Sequence, residues 1–159
     1  MGYGPSVAFF LACLLSASGP VKSEPRKQTH TVDAAVARLV EPILDALTES
    51  GQCSDREESF HEADRLLGSV LQLQNRASDE ALVVLFHFYI GESSGGDLLH
   101  ETTKRGRRML PYLRNYKATP PVFANRSYPP CLALKAGAKL AGLDEAIGAI
   151  RSKRVIGED

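Results

Sequence analysis

Residues 32–47 read VDAAVARLVEPILDAL and carry the clearest structural pattern in the chain. Their apolar residues recur at alternating steps of three and one, which places them on one side of an α-helix. Thr31 or Asp33 can cap the start of this helix. Pro42 lies inside the pattern and predicts a kink, because proline has no N–H to donate within a helix. The stripe comprises Val32, Ala35, Val36, Leu39, Val40, Ile43, Leu44 and Leu47.

Further helices are predicted after this one. Ser54 and Glu57 have the spacing of a capping box at the start of a second helix. Residues 75–77 are predicted to form a turn, after which Ser78 caps a third helix. The very apolar residues 81–90 fit either a buried strand or a buried helix. The Ser-Asp-Glu start and the helical neighbours favour a helix.

The second half of the chain predicts two more helices. Asp97 is expected to cap the first, in which Pro111 predicts another kink. Residues 118–130 contain four prolines and should form an ordered loop. The last helix is expected over residues 131–152, with a break near Gly142. The sequence thus predicts an all-α protein, a small bundle of about five helices, two of them kinked at proline, within a single domain at 31–154.

The N-terminal segment is typical of a secretory signal peptide. Residues 6–18, SVAFFLACLLSAS, are apolar and uncharged but too short to span a bilayer. We predict a signal peptide at 1–23, with Gly19 as an alternative cleavage point and a buried N-terminal helix as the alternative structure. A flexible tail at 24–30 and a frayed C-terminal tail at 155–159 are expected. The predicted location is extracellular, with no membrane span after signal removal.

Three cysteines are present, and Cys13 would leave with the signal peptide. Cys53 and Cys131 then form an even pair, which in an oxidising compartment predicts one disulfide. Two free thiols or an intermolecular bridge are the alternatives. Asn125 begins an N-R-S glycosylation sequon in the proline-rich segment, so a glycan is expected there.

Charge is unevenly distributed although the formal net charge is zero. Residues 24–101 contain 15 acidic and 6 basic residues, whereas residues 102–143 contain 9 basic and no acidic residues. One interpretation is that the two regions pack together and their charges complement each other. The other is a basic surface that meets an anionic partner. Neither the net charge nor the predicted location favours a nucleic-acid partner.

The basic cluster at 104–108 allows three hypotheses. It is a solvated helix face, or it binds sulfated glycans, or it is cut by proprotein convertases, because R-G-R-R fits their R-x-[K/R]-R pattern. The sequence R-S-K-R near the C-terminus fits the same pattern. The candidate residues for an anionic partner are Lys104, Arg105, Arg107, Arg108, Arg114 and Lys117, and the candidate processing positions are Arg108 and Arg154.

Residues 91–96, GESSGG, are predicted to be a flexible loop and match the G-x-S-x-G pattern of the α/β-hydrolase nucleophile elbow. That chemistry requires a histidine base later in the chain and an acid that orients it. Only His100 follows Ser93, a few residues away. The alternation of strands and helices is also absent, so an esterase-like function of Ser93 is only a remote alternative.

No histidine or cysteine spacing predicts a metal site, and no glycine-rich phosphate loop is present. His87, among apolar neighbours, is expected to be a core or edge histidine. We therefore expect no cofactor and no enzymatic activity. The sequence favours a secreted ligand or modulator that binds a protein partner or the cell surface. A convertase-cleaved precursor and a glycosaminoglycan-binding module are the alternatives.

Overall fold

The computed structural model describes residue 1 and residues 29–48, 53 and 57–157. Apart from Met1, the predicted signal peptide lies outside the described residues, as does most of the predicted N-terminal tail. The described part forms a small bundle of six α-helices, which confirms the predicted fold class. The helices are α1 (Ala34–Leu47), α2 (Glu57–Gln72), α3 (Arg76–Leu85), α4 (Glu92–Arg105), α5 (Leu110–Ala118) and α6 (Ala136–Arg151).

Helix α3 is the centre of the bundle. Residues 78–85 are buried without exception, and α3 packs against α1, α2, α4 and α5. A helix that is buried on every side needs apolar residues all round, which residues 81–85 provide. Around them the core is filled by side chains with no exposed surface from α1, α5 and α6. These include Val40, Ile43, Leu44, Leu113 and Leu143.

Helix α1 matches its sequence pattern closely. The Asp33 carboxylate accepts a hydrogen bond from the Ala35 N–H at 2.8 Å and so caps the helix. Pro42 lies inside α1, which continues to Leu47. Just before α1, His30–Thr31 form a short strand, β1, that pairs in parallel with β2, Pro121–Val122. His30 is thus part of the folded domain and not of a flexible tail.

The predicted turn at 75–77 is wrong, because α3 begins three residues earlier than expected. Asn75 caps α3, its side chain accepting from the Ser78 N–H at 2.9 Å while the Asn75 N–H donates to Ser78 Oγ at 3.2 Å. This reciprocal pair is a capping box, in which the two side chains satisfy the free N–H groups of the first turn. Ser78 is therefore the third residue of the helix and not its cap.

The ambiguous apolar segment contains both helix and extended chain. Helix α3 ends at Leu85, and Phe88 then forms an antiparallel bridge with Ala133. The Tyr89 N–H donates to the Leu132 carbonyl at 2.7 Å, and the Leu134 N–H donates to the His87 carbonyl at 3.1 Å.

The predicted flexible loop at 91–96 is instead the start of α4. Gly91 precedes the helix with a φ of 90°, a conformation that a side chain disfavours. The next glycines, Gly95 and Gly96, are within the helix. The sequence pattern did not predict this start of α4, because its first residues are glycine, serine and glutamate and so form no apolar stripe.

Gly106 and Pro111 divide the predicted fourth helix into two. Gly106 has a φ of 69° and ends α4, and a 3-10 turn, Gly106–Met109, leads into α5. Pro111 lies in the first turn of α5, where its missing N–H breaks no helical hydrogen bond. The second proline kink is therefore a boundary between two helices.

Helix α6 begins at Ala136, five residues later than predicted, after a 3-10 turn at Pro130–Leu132. The break expected near Gly142 is absent. Gly142 instead faces Phe86, whose ring lies 3.4 Å from where a Cβ would be placed. This is an ordinary contact distance, so Gly142 neither breaks α6 nor is demanded by the packing against Phe86.

The C-terminal strap, defined as residues 155–157, packs against α4 and is not the frayed tail that was expected. The Ile156 N–H donates to Thr103 Oγ1 at 3.1 Å, and His100 Nδ1 lies 2.8 Å from the Ile156 carbonyl. Thr103, which is buried, and His100, which is half-buried, thus hold the strap against α4.

Candidate functional site

The most highly organised polar site surrounds Arg105, at the end of α4. Its side chain is 1% exposed and joins α4 to α3 and to the end of α2. A guanidinium in the interior is tolerated only when its donors are paired. Its hydrogen-bond partners are Glu101 Oε1 (2.8 Å), Asp79 Oδ1 (2.8 Å), Ser78 Oγ (3.0 Å) and the carbonyls of Leu71 (2.9 Å) and Leu73 (2.6 Å).

A second arginine closes the outer side of this cluster. Arg108 Nη2 lies 3.0 Å from Asp79 Oδ1 and donates to Gln74 Oε1 at 2.6 Å. The Gln74 amide in turn donates to Glu101 Oε1 at 3.1 Å. Burial would raise the pKa of Glu101, but hydrogen bonds from Arg105 and Gln74 outweigh it and hold that pKa below its ordinary value.

Arg105 is therefore separate from the other residues of the predicted anionic-partner patch. It faces carboxylates of this chain and does not reach solvent, so it cannot contact a glycan in this conformation. Lys104, Arg107 and Arg114 are exposed, and none forms an ion pair with a described residue. Lys117 is 43% exposed and pairs with Asp144. We call Lys104, Arg107 and Arg114 the basic surface.

Charge complementarity accounts for part of the basic segment. Arg105 and Arg108 pair with Asp79, and Arg126 makes a two-point contact with Asp45 at 2.7 and 2.8 Å. The guanidinium of Arg126 also lies 5.4 Å from the centre of the Tyr128 ring. These contacts between the acidic half and the basic segment support the complementarity interpretation for these three arginines.

The sequon is located at the tip of a tight turn. Phe123 and Arg126 form an antiparallel bridge, and Ala124 and Asn125 make the turn between them. Asn125 and Ser127 are both exposed. An oligosaccharide attached to Asn125 would extend away from the bundle.

The sulfur atoms of Cys53 and Cys131 lie at disulfide-bonding distance, with their Cα atoms 6.0 Å apart. That spacing is within the usual range for a bridge. The bridge ties Cys53, between α1 and α2, to Cys131 in the 3-10 turn that precedes α6. The two cysteines are 78 positions apart in the sequence.

Ser93 is exposed in the first turn of α4. Its neighbour Ser94 is buried and donates to the carboxylate of Asp64. His100 lies seven residues further along the same helix, about 10 Å away at 1.5 Å per residue, and is bonded to the Ile156 carbonyl. The structure therefore does not bring His100 to Ser93, as the remote esterase alternative would require.

His87 is the buried histidine of a polar cluster inside the bundle. It is 5% exposed, and neither ring nitrogen has a hydrogen-bond partner with normal geometry among the described residues. Burial, together with the charge of Lys139, lowers the pKa of His87 to about 4. Next to it, Tyr116 donates to Glu80 Oε1 at 2.8 Å, and burial and that contact raise the pKa of Tyr116.

In the part of the chain that the structure describes, no group of three or more His, Cys, Asp or Glu side chains is arranged to hold a metal ion. None of the helices in that part is long and apolar enough to cross a bilayer. Comparison with protein-family models, with curated proteins and with solved structures gives no match to this chain.

Sequence reasoning identified the basic cluster but not its internal partners. Ser78 had been assigned as a helix cap and Asp79 to the start of that helix, and nothing in their spacing points to Arg105, which is 26 positions from Asp79. A usable hint was present, because the apolar α3 pattern begins directly after Asp79 and Glu80. Carboxylates next to a buried helix need cationic or hydrogen-bonding partners.

Proposed function

We propose that this chain is a secreted, non-enzymatic helical protein that acts by binding a protein partner or the surface of a cell. The observation that carries the proposed destination is the pairing of Cys53 with Cys131 across the domain. Bridges of this kind persist in oxidising compartments. The apolar segment at residues 6–18 and the exposed sequon at Asn125 point to the same destination.

The basic surface supports binding to an anionic target. Lys104, Arg107 and Arg114 lie on the end of α4, the following 3-10 turn and α5, and form no ion pair with a described carboxylate, although the charge of Lys104 acts on Glu101. Exposed cations of this type attract sulfated glycans and acidic protein surfaces through long-range electrostatics. The second candidate, a glycosaminoglycan-binding module, rests on this same observation.

The destination is tested by expressing the full chain in animal cells and determining the intact mass of protein in the medium. Secretion predicts a chain that starts near Glu24, is lighter by two hydrogen atoms before reduction than after it, and loses one glycan on glycosidase treatment. Retention of the unprocessed chain inside the cells would contradict the proposal.

Binding is tested with labelled secreted protein on cultured cells. A saturable signal that unlabelled protein displaces supports it, and non-saturable uptake contradicts it. A triple variant, Lys104→Ala with Arg107→Ala and Arg114→Ala, should weaken binding. The matched control, Arg38→Ala with Arg76→Ala and Lys135→Ala, removes the same charge from exposed positions elsewhere. If enzymatic removal of sulfated glycans from the cells abolishes binding of the wild type, the target is a sulfated glycan; if binding survives, the target is protein.

A further inference from the structure

The two R-x-[K/R]-R stretches differ sharply in structure. In the first, Arg105 is the fourth residue before the bond that would be cut, and its side chain is 1% exposed. A protease that reads this residue would have to extract it from Asp79 and Glu101. Met109, directly after that bond, is also fully buried. The bond after Arg108 is therefore protected in the folded chain.

The side chains of the second stretch are exposed, and its backbone is held by hydrogen bonds from the N–H groups of Ser152, Lys153 and Arg154 to carbonyls at the end of α6. Residues 151–154 are exposed, and Arg151, Lys153 and Arg154 form no ion pair with any residue of the described part of the chain. Helix α6 ends at Arg151. Lys153 has a φ of 56°, a left-handed conformation that costs energy for a residue with a side chain. Opening this turn into an extended strand relieves that strain, although it breaks the hydrogen bonds from the Lys153 and Arg154 N–H groups to α6.

The residues beyond the second stretch are covered by α4. In the C-terminal strap, Ile156 contacts Thr103 and His100 through its N–H and carbonyl. These two hydrogen bonds hold the chain on the far side of the Arg154–Val155 bond. They must open locally before a protease can bind this segment.

We propose that the chain is cut after Arg154 by a secretory endoprotease that is specific for R-x-[K/R]-R, and that the bond after Arg108 is left intact. Water adds across the amide bond between Arg154 and Val155. Arg154 then ends in a carboxylate and Val155 begins with an α-ammonium group. The released peptide, residues 155–159, takes the strap with it and uncovers His100 and Thr103. In cells this rests on the proposed secreted destination.

The test uses the folded full chain and a purified proprotein convertase of this specificity, followed by intact-mass analysis. The expected result is one cut, with loss of residues 155–159. Arg154→Ala should abolish this cut, and the matched control Arg108→Ala should leave its rate unchanged. A cut after Arg108, or an uncut wild-type chain, would overturn the proposal. Because the protease is added directly, failure here is independent of whether the chain is secreted.

A second variant tests the role of the strap. Thr103→Val keeps the side-chain shape but removes the acceptor for the Ile156 N–H, so the strap should open more often. We expect cleavage after Arg154 to be about fivefold faster, the factor expected from the loss of one ordinary hydrogen bond. Thr119→Val, which removes a hydroxyl from the end of α5, is the control. An unchanged rate in Thr103→Val would show that the strap does not limit access to the bond.

Discussion

The guanidinium of Arg105 and the carboxylate of Asp79 meet at 2.8 Å inside the bundle and join the end of α4 to the start of α3. Asp79 is also the anion that Arg108 contacts at 3.0 Å. One carboxylate thus orients two residues of the basic cluster. The electrostatic character of the surface therefore depends on which cations the interior has already paired.

Arg105→Met should be strongly destabilising. It removes the partner of Asp79 and Glu101 while both remain largely buried, and such a loss costs about 3–5 kcal/mol of the free energy of unfolding. Urea denaturation followed by circular dichroism measures it. The exposed neighbour Arg107→Ala should change stability by no more than about 0.5 kcal/mol. Equal effects of the two substitutions would contradict the assignment of Arg105 to the interior.

The bundle could be predicted from the sequence because its helices have regular apolar stripes. Residues 32–47 gave the correct helix and, in Asp33, its cap. The boundaries that failed are set by single residues with special backbone geometry. Gly91 and Gly106 adopt positive φ, whereas Gly142 lies within α6 and does not interrupt it. Only the packed structure distinguishes these glycines from ordinary helix breakers.

The candidate site was harder to predict, because the spacing of apolar residues does not indicate which distant polar residues will pair. The cations at 104–108 look equivalent in the sequence, yet Arg105 faces the interior whereas Lys104 and Arg107 face solvent. Lys104 and Arg105 differ because neighbouring residues of a helix point in directions about 100° apart, and Arg107 lies beyond Gly106, where α4 has ended. The burial of His87 was anticipated from its apolar neighbours, but the effect of the Lys139 charge on its pKa was not.

Removing the disulfide should lower stability without changing the fold. On the chain-entropy model, a bridge that closes a loop of this length contributes about 4 kcal/mol. We expect a double variant, Cys53→Ser with Cys131→Ser, to lose about that amount in urea denaturation. Wild-type protein denatured with a reductant present should match it. A double variant within about 1 kcal/mol of the oxidised wild type would show that the bridge is absent from the purified protein.

His87 should make the protein less stable in mild acid. Its pKa is about 4 in the folded chain and about 6.5 when unfolded, so the unfolded state binds the proton first as the pH falls. The destabilisation due to His87 is absent above about pH 6.5, grows as the pH falls toward 4 and is constant below that. The full loss is at most about 3 kcal/mol.

His87→Phe isolates this effect from the titrating carboxylates. The difference in unfolding free energy between wild type and variant should change between pH 6.5 and pH 4, with the wild type losing more. Urea unfolding at half-unit pH steps measures it. If the free energy of unfolding changes with pH in the same way for both proteins across that range, His87 is protonated in the folded chain or exposed in solution.

Glycosylation should depend on Asn125 alone. The turn between Phe123 and Arg126 presents Asn125 and Ser127 to solvent, where the transferase can reach both residues of the sequon. Asn125→Gln and Ser127→Ala should each remove the same mass from protein expressed in animal cells, as read by mass spectrometry. Asn115→Gln, at an exposed position of α5 outside any sequon, is the matched control and should retain the glycan. Because the turn lies on the surface, neither sequon variant should lower the thermal unfolding midpoint by more than a few degrees. A glycan that survives Ser127→Ala would place the modification elsewhere in the chain.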